Sequence, residues 1–303
     1  MGSGGVGGYF GARLAQAGNP VSFIARGRHL EALRSKGLTL KSSLGDAQLK
    51  LRAFQDPREA GEADVVIFAV KLWDTEGAAE QIRPIVGRAV VIPFQNGVES
   101  IERLGKVLGA ERVMGGSAYI ATRIAAPGVV EHTGTMARLR FGPVMPSQRG
   151  AAQSFFEACK AAGINAELTD DIVLVNWEKF VFLVAVSGTT ALARAPLGTV
   201  RADADLRWMF EQAMRETWHL ARRRGVKLAD DFVEKQMAFL DTLPAEMRAS
   251  MLHDLEAGNR LEAPWLCGAV ARMSAEAGLE APVNRAVYAA LKPFVNGSAG
   301  KAA

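Results

Sequence analysis

Two patterns of apolar and polar positions succeed one another along this chain. Up to residue 169, short apolar runs alternate with stretches whose apolar residues recur every three or four positions. The runs at 63–71 and 89–94 are almost wholly apolar, as in strands buried on both faces of a parallel sheet. A shorter run at 21–26 predicts another such strand. Helical spacing predicts helices over 8–17, closed by Gly18 and Asn19, over 28–36, ended by Gly37, and over 75–86. Short strands are predicted within 38–53 around Gly45 and Asp46, longer ones at 113–122 and 128–141, a helix at 151–162 and a last strand at 164–169. From Asp170 onward strand patterns stop. A helix over 170–192, capped by Asp170 or Asp171, is apolar nearly all round and therefore buried and central. Further helices are predicted at 205–224, 228–242, 245–256, 262–277 and 283–292, and the small-residue tail at 296–303 is expected to be mobile. The pattern predicts an α/β domain over 1–169 and an all-α domain over 170–303.

The α/β half opens on Gly2-Ser3-Gly4-Gly5-Val6-Gly7, a G-x-G-x-x-G motif leading into a helix. Gly2 allows a tight turn, Gly4 lets the backbone approach a pyrophosphate, and Gly7 lets the helix pack closely on a strand. The helix N-terminus offers unpaired N–H groups and a positive dipole end to phosphates. Followed by the strand at 21–26, this is most of a Rossmann-type β-α-β unit. The residue closing that strand selects the cofactor. An acid there holds ribose hydroxyls, whereas arginine accommodates a 2′-phosphate; here it is Arg26, with Arg28 beyond and no acid before Glu31, which favours NADP(H). The motif needs a strand before it, and Met1 stands directly on the glycines. The first strand is thus missing from the pattern and is expected upstream of Met1, because a parallel sheet without a middle strand would expose unpaired edges.

Composition narrows the class. The chain has 303 residues, 49% of them hydrophobic, enough for two substantial cores. A net charge of +4 without a long basic block argues against nucleic acid and suits small anions. Cys159 and Cys267 lack metal or redox spacing and read as buried thiols of a cytoplasmic protein. The apolar stretch at 181–193 is interrupted by Ser187, Gly188 and threonines and is too short for a membrane span. The later helices have apolar faces that serve a homodimer or their own core; the sequence admits both.

Candidate chemistry falls at strand ends and on the buried helix. Lys71 ends the run at 63–71, and Gln95-Asn96-Gly97 follows the run at 89–94. In open α/β sheets ligands lie outside the carboxyl ends of the strands, so both are placed to meet a cofactor, although a solvated strand end and a plain Asn-Gly turn remain open. Lys179 lies in an almost wholly apolar helix, where an ammonium needs a partner, an aqueous cleft or a lowered pKa, as catalytic lysines have. Helical spacing puts Asn176, Lys179, Ser187 and Thr190 near one stripe with Leu183 between them. The polar cluster from Ser250 to Glu262 contains His253 and Asp254, which as helix neighbours do not face each other. Glu262 is expected to start a helix, either as a cap or as a functional carboxylate.

These features together resemble the ketopantoate reductase (2-dehydropantoate 2-reductase) family: the glycine motif, Arg26, Lys71, Gln95-Asn96-Gly97, Trp177-Glu178-Lys179-Phe180, Ser250-Met251-Leu252-x-Asp254 and Glu262, in order over nearly the whole chain. The resemblance implies NADPH-dependent reduction of a small 2-oxo acid, 2-dehydropantoate, to pantoate in pantothenate biosynthesis. It makes Lys179 the general acid, sets Glu262 against the bound ligands, gives Ser250 and Asn96 to substrate, and gives Gly2, Ser3, Gly4, Gly7, Arg26, Lys71 and Asn96 to the cofactor. Departures accompany it. Family asparagines four and eight residues after the lysine are here Leu183 and Ser187, and a further one corresponds to Leu197. Ser187 is then a substrate contact of reduced reach, and two alternatives follow: a reductase of a more apolar 2-oxo acid, or an NADPH-binding protein without turnover.

Overall fold

The computed structural model describes residues 1–297, and most of the predicted tail at 296–303 lies outside the described residues. The chain divides into two compact units, Met1–Val175 and Asn176–Ala303.

In the first unit the glycine motif leads into α1 (Gly5–Gln16), which ends where Gly18 takes φ +86°. Then come β1 (Ser22–Ile24), α2 (Gly27–Lys36), β2 (Leu38–Ser42), β3 (Ala47–Leu49), β4 (Arg52–Phe54) and β5 (Val65–Phe68). They are followed by α3 (Thr75–Ile82), β6 (Val90–Pro93), α4 (Ser100–Leu108), β7 (Gly115–Ala126), β8 (Val129–Gly142), α5 (Arg149–Ala161) and β9 (Asn165–Leu168). β1 pairs with β4 and β5 with β6, both in parallel. Residues 1–3 join the two pairs: the Gly2 and Ser3 amides donate to the Ile24 carbonyl, the Met1 amine donates to Ile67 O, and the Ala69 amide donates to Met1 O. The two parallel pairs thus meet at their carboxyl ends around the glycine loop. β7 and β8 form a long antiparallel hairpin that carries β2 and β9 in parallel on β8, with β3 antiparallel on β2.

Two clusters of apolar side chains hold this unit together. Phe10, Phe23, Leu33, Leu40, Phe141 and Phe155 fill the space between α1, α2, α5 and the hairpin sheet. Phe68, Ala79, Ile82, Val91 and Leu104 fill the space between the β5–β6 pair and α3 and α4. Helix α4 is absent from the sequence reading. Its Leu104 and Leu108 lie one turn apart and are both buried, and a fully buried leucine contributes about 1.5–3 kcal/mol.

The second unit contains most of α6 (Ile172–Ala193), then α7 (Leu197–Ala202), α8 (Ala204–Arg223), α9 (Phe232–Thr242), α10 (Ser250–Glu256), α11 (Cys267–Glu276) and α12 (Pro282–Leu291). Asp171 caps α6, its carboxylate accepting from the Leu174 amide at 2.9 Å, as the sequence leads one to expect. By length and composition α6 could cross a membrane; most of its apolar window is buried within the protein, as in a core helix. Gly188, which interrupts the apolar run, has a packing reason: a Cβ there would stand 3.0 Å from Val287 of α12. Glu216 of α8 fastens the start of α12 by accepting from the Val283 and Asn284 amides and the Asn284 side chain.

One expectation about this half is corrected. Glu262 does not begin a helix. It precedes a 3-10 turn over Ala263–Trp265, no side chain caps that turn, and α11 starts only at Cys267. Pro264 and the φ −107°, ψ −104° conformation of Leu266 break the chain between turn and helix. The capping role of Glu262 therefore falls away. Both cysteines are buried, and burial pushes their thiols up to about 12, so neither is a reactive thiolate.

Candidate active site

The first unit gathers its candidates at the carboxyl ends of β1, β5 and β6. Gly2 has φ +85°, and a Cβ on it would stand 2.7 Å from the Val70 amide nitrogen, so only glycine lets the loop close against the end of β5. A Cβ on Gly7 would stand 2.3 Å from the Gly2 carbonyl oxygen, which ties the first turn of α1 to the loop. Gly4 differs: apart from its chain neighbours, nothing among the described residues lies within 4 Å of its Cβ position. The first amides of α1 have no intrahelical acceptors, no side chain caps them, and no acid stands in the first turn. Open space beside Gly4 and uncapped amides make a cradle for an anion that approaches the backbone closely, as a pyrophosphate does.

Ser3 contributes differently from a side-chain ligand. Its side chain is buried and its hydroxyl donates to the Ile24 carbonyl at 3.1 Å, so the hydroxyl is turned into the fold and Ser3 shapes the loop. Arg26 closes β1 with an exposed guanidinium, held 2.7 Å from the Asp74 carboxylate. So exposed a pair is worth about 0–1 kcal/mol and yields readily to a phosphate. Lys71 follows β5, its ammonium 5.6 Å from the Trp73 ring centroid. Asn96 follows β6 in a turn closed by Gly97 at φ +87°. Gln95 braces the two strand ends, its side-chain amide donating to Val70 O and Thr75 Oγ1, both at 2.9 Å. The sequence marks Gln95 only as part of a motif; its bracing role depends on partners 20 and 25 residues away.

His29 is a further residue that sequence reasoning missed. Its Nε2 lies 2.9 Å from the Ser3 carbonyl, and the Gly128 amide donates to its Nδ1 at 3.1 Å. No periodicity marks it, because its partners lie in the glycine loop and in the β7–β8 turn. A cavity of about 890 Å³ in this unit lies elsewhere, along the later turns of α1 and the end of α5, and contains none of the expected site residues.

The second unit carries the other candidates. Lys179 is half-buried on α6 between the buried Trp177 and Phe180, whose rings meet edge to face at 5.5 Å. Burial lowers its amine to about 8, and the Glu262 carboxylate, itself buried, opposes that fall. The structure thus couples the two residues electrostatically although 83 positions separate them. An amine near 8 holds its proton at neutral pH and releases it far more readily than an ordinary lysine. Two turns on, Ser187 is buried and its hydroxyl has no hydrogen-bond partner among the described residues. Its neighbours Thr189 and Thr190 donate back to the carbonyls four residues earlier, at 2.7 and 2.6 Å. Ser250 is exposed at the first position of α10, and Asp254 accepts from the Asn259 side chain at 3.2 Å. Leu197 is fully buried and its amide donates to Met247 O, which fixes it as a packing residue.

A Rossmann-type unit with a glycine-loop anion cradle, joined in one chain to a helical unit with a depressed lysine, defines an oxidoreductase that uses a nicotinamide cofactor. Comparison with known proteins agrees. The family model "Ketopantoate reductase PanE/ApbA" matches residues 1–146, and its C-terminal counterpart matches residues 171–295. A 2-dehydropantoate 2-reductase of Archaeoglobus fulgidus is 32% identical over 286 residues, 94% of this chain and 93% of that protein. An uncharacterized oxidoreductase of Bacillus subtilis, YkpB, is 30% identical over 295 residues, 97% of each chain. The crystal structure of a PanE/ApbA family ketopantoate reductase from Ralstonia eutropha superposes with a TM-score of 0.89 at 32% identity, covering 97% of each chain. This chain belongs to the ketopantoate reductase family.

Proposed function

We propose that this protein reduces 2-dehydropantoate to pantoate with NADPH, with Lys179 as the general acid. The observation that carries the reading is the Lys179 amine, brought down to about 8 by burial and kept from falling further by Glu262. When bound, the nicotinamide supplies the hydride to C2 of the 2-oxo acid. Lys179 donates its proton to the carbonyl oxygen as negative charge develops there, and its own charge stabilises that oxygen beforehand. Glu262 keeps the lysine protonated at neutral pH. The amides at the start of α1, with Gly2, Ser3, Gly4 and Gly7 shaping the loop, hold the pyrophosphate. Arg26 turns from Asp74 to the 2′-phosphate, which is the choice of NADPH over NADH. Lys71 and Asn96 hold the ribose end, and Asn96, Ser187 and Ser250 hold substrate.

A second reading changes only the substrate. Leu183 lies on the same stripe of α6 as Lys179 and Ser187, so the two positions that follow the lysine along it carry an apolar side chain and a small hydroxyl, a lining that suits a more apolar 2-oxo acid. The experiment is NADPH oxidation, followed by absorbance, with 2-dehydropantoate beside a series of bulkier apolar 2-oxo acids. Highest kcat/KM on 2-dehydropantoate is the expected result. Preference for an apolar acid selects the second reading, and tight NADPH binding without oxidation by any of them removes both.

A further inference from the structure

His29 connects three parts of the first unit. It sits in the first turn of α2, directly after the Arg26 strand end. Its Nε2 meets the carbonyl of Ser3 inside the glycine loop at 2.9 Å, and its Nδ1 meets the amide of Gly128 in the β7–β8 turn at 3.1 Å. A backbone amide only donates, so Nδ1 must be the bare acceptor nitrogen; a carbonyl only accepts, so Nε2 must carry the proton. The two partners leave one tautomer of the neutral ring. The turn on the far side is itself held: Gly128 has φ +78°, its carbonyl accepts from the Thr39 amide at 2.8 Å, and a Cβ on it would stand 3.0 Å from the Ala32 Cβ. Ser3 is fixed on its other side through its amide and hydroxyl, both donating to Ile24. The imidazole is therefore a strut between two rigid supports, and the carbonyl it grips belongs to the residue just before Gly4.

We propose that neutral His29 is a positioning residue for the cofactor loop, and that protonating its Nδ1 breaks the bond to Gly128, leaves the ring that holds Ser3 without its far support and weakens nucleotide binding. The proposal rests on the reading of the glycine loop as the cofactor cradle. The charged and titratable groups on the elements packed around His29 are Arg26 with its partner Asp74, Arg28, Glu31, Arg34 and Lys36 on or beside its own helix, and on the hairpin the Arg123–Glu131 pair, His132, and Arg138 and Arg140, which pair with Glu167. Burial disfavours the imidazolium and lowers the His29 pKa from 6.5, while the Ser3 carbonyl opposes that shift. The strut is thus intact at neutral pH, and when acid protonates the ring the Gly128 support goes while the Nε2 N–H stays on Ser3. Binding and acid oppose each other through this one ring, since nucleotide favours the closed loop and the closed loop favours the neutral imidazole.

The test compares the wild type with His29→Gln and His29→Phe. Glutamine puts an amide N–H at the reach of Nε2 and does not titrate; phenylalanine keeps bulk and loses both bonds. The dissociation constant of NADPH is measured by nucleotide fluorescence from pH 5 to 8. Because the 2′-phosphate also titrates in this range, the readout is the ratio of wild type to His29→Gln at each pH. We expect that ratio to be within about threefold at neutral pH and to worsen by about tenfold on acidification, with His29→Phe weak by about tenfold throughout. Parallel profiles for wild type and His29→Gln overturn the proposal, as does tighter wild-type binding in acid, which would mean that the imidazolium attracts phosphate instead of unlocking the loop. Nitrogen-15 NMR of the histidine ring gives a readout independent of the cofactor. A bare Nδ1 and protonated Nε2 at neutral pH, with the Gly4 and Gly128 amide signals moving as the ring titrates, uphold the strut even if NADPH fails to bind, in which case the cofactor assignment is at fault. The opposite tautomer, or silent amides, removes the strut itself.

Discussion

The two glycines at positions 4 and 7 of the loop separate folding from binding, and alanine at each measures one of them. At Gly7 the added methyl carbon would stand 2.3 Å from the Gly2 carbonyl oxygen, a distance no real Cβ tolerates, and the obstacle is backbone that cannot swing aside. Overpacking of this kind costs about 1–3 kcal/mol, and each kcal/mol lowers the Tm of a domain of this size by about 2–4 °C. At Gly4 the backbone has φ −78°, which alanine adopts freely, and apart from its chain neighbours nothing among the described residues lies within 4 Å of the added carbon. Stability then changes by less than about 1 kcal/mol, because the gain from a stiffer unfolded chain and the loss of glycine at the N-cap of α1 oppose each other. The same methyl fills the space in which a pyrophosphate would lie against the loop. Losing even two charge-assisted hydrogen bonds, at about 1.5–3 kcal/mol each, weakens NADPH binding by at least about a hundredfold. Calorimetry and nucleotide fluorescence on the two variants give the result directly. Gly4→Ala should melt with the wild type and bind NADPH poorly, and Gly7→Ala should melt early. A Gly4→Ala protein that binds NADPH with wild-type affinity would refute the placement of the cofactor on this loop.

Other expectations follow from single contacts. Lys179 must be protonated to act as acid, so kcat for reduction should hold at neutral pH and fall as pH rises through about 8; Glu262→Gln should start that fall at lower pH, because the carboxylate raises the lysine's pKa. A pH–rate profile in which the variant's descending limb coincides with the wild type's would separate the two residues. Arg26→Ala should raise KM for NADPH by about tenfold and leave KM for NADH nearly unchanged, since its guanidinium meets only the 2′-phosphate in this account. Asp171→Ala removes the cap from α6 and should cost about 1 kcal/mol in urea unfolding, without moving KM for NADPH.

Where the chemistry repeats along the chain, the fold was legible. The runs at 63–71 and 89–94 are too short and too evenly apolar for a buried helix and suit a parallel pair covered on both faces, and β5 and β6 lie within them. Their ends were not legible: β5 stops at Phe68, where the chain turns to pair with Met1 across the glycine loop, a partner far away in sequence. The missed helix α4 follows an Asn-Gly turn that reads as a loop, and its short apolar stripe gains its meaning from the Val91 and Phe68 cluster it packs against. Lys179 stood out because an ammonium in an apolar helix is costly wherever the helix lies. Glu262 was legible as a polar residue beside apolar ones but not in its setting, since Pro264 and Leu266 start the helix later than the pattern suggests. His29, Gln95 and the inward turn of the Ser3 hydroxyl carry no sequence signal. Each is defined by hydrogen bonds to backbone atoms about 20 to 100 residues away.

Proton delivery by Lys179 is tested most directly by single-turnover oxidation of bound NADPH by 2-dehydropantoate in the wild type and in Lys179→Ala. If Lys179 is the acid, NADPH affinity stays unchanged and the rate falls by about 100- to 10,000-fold, the usual contribution of a positioned general acid. A Lys179→Ala enzyme that binds NADPH and turns over at the wild-type rate would contradict it.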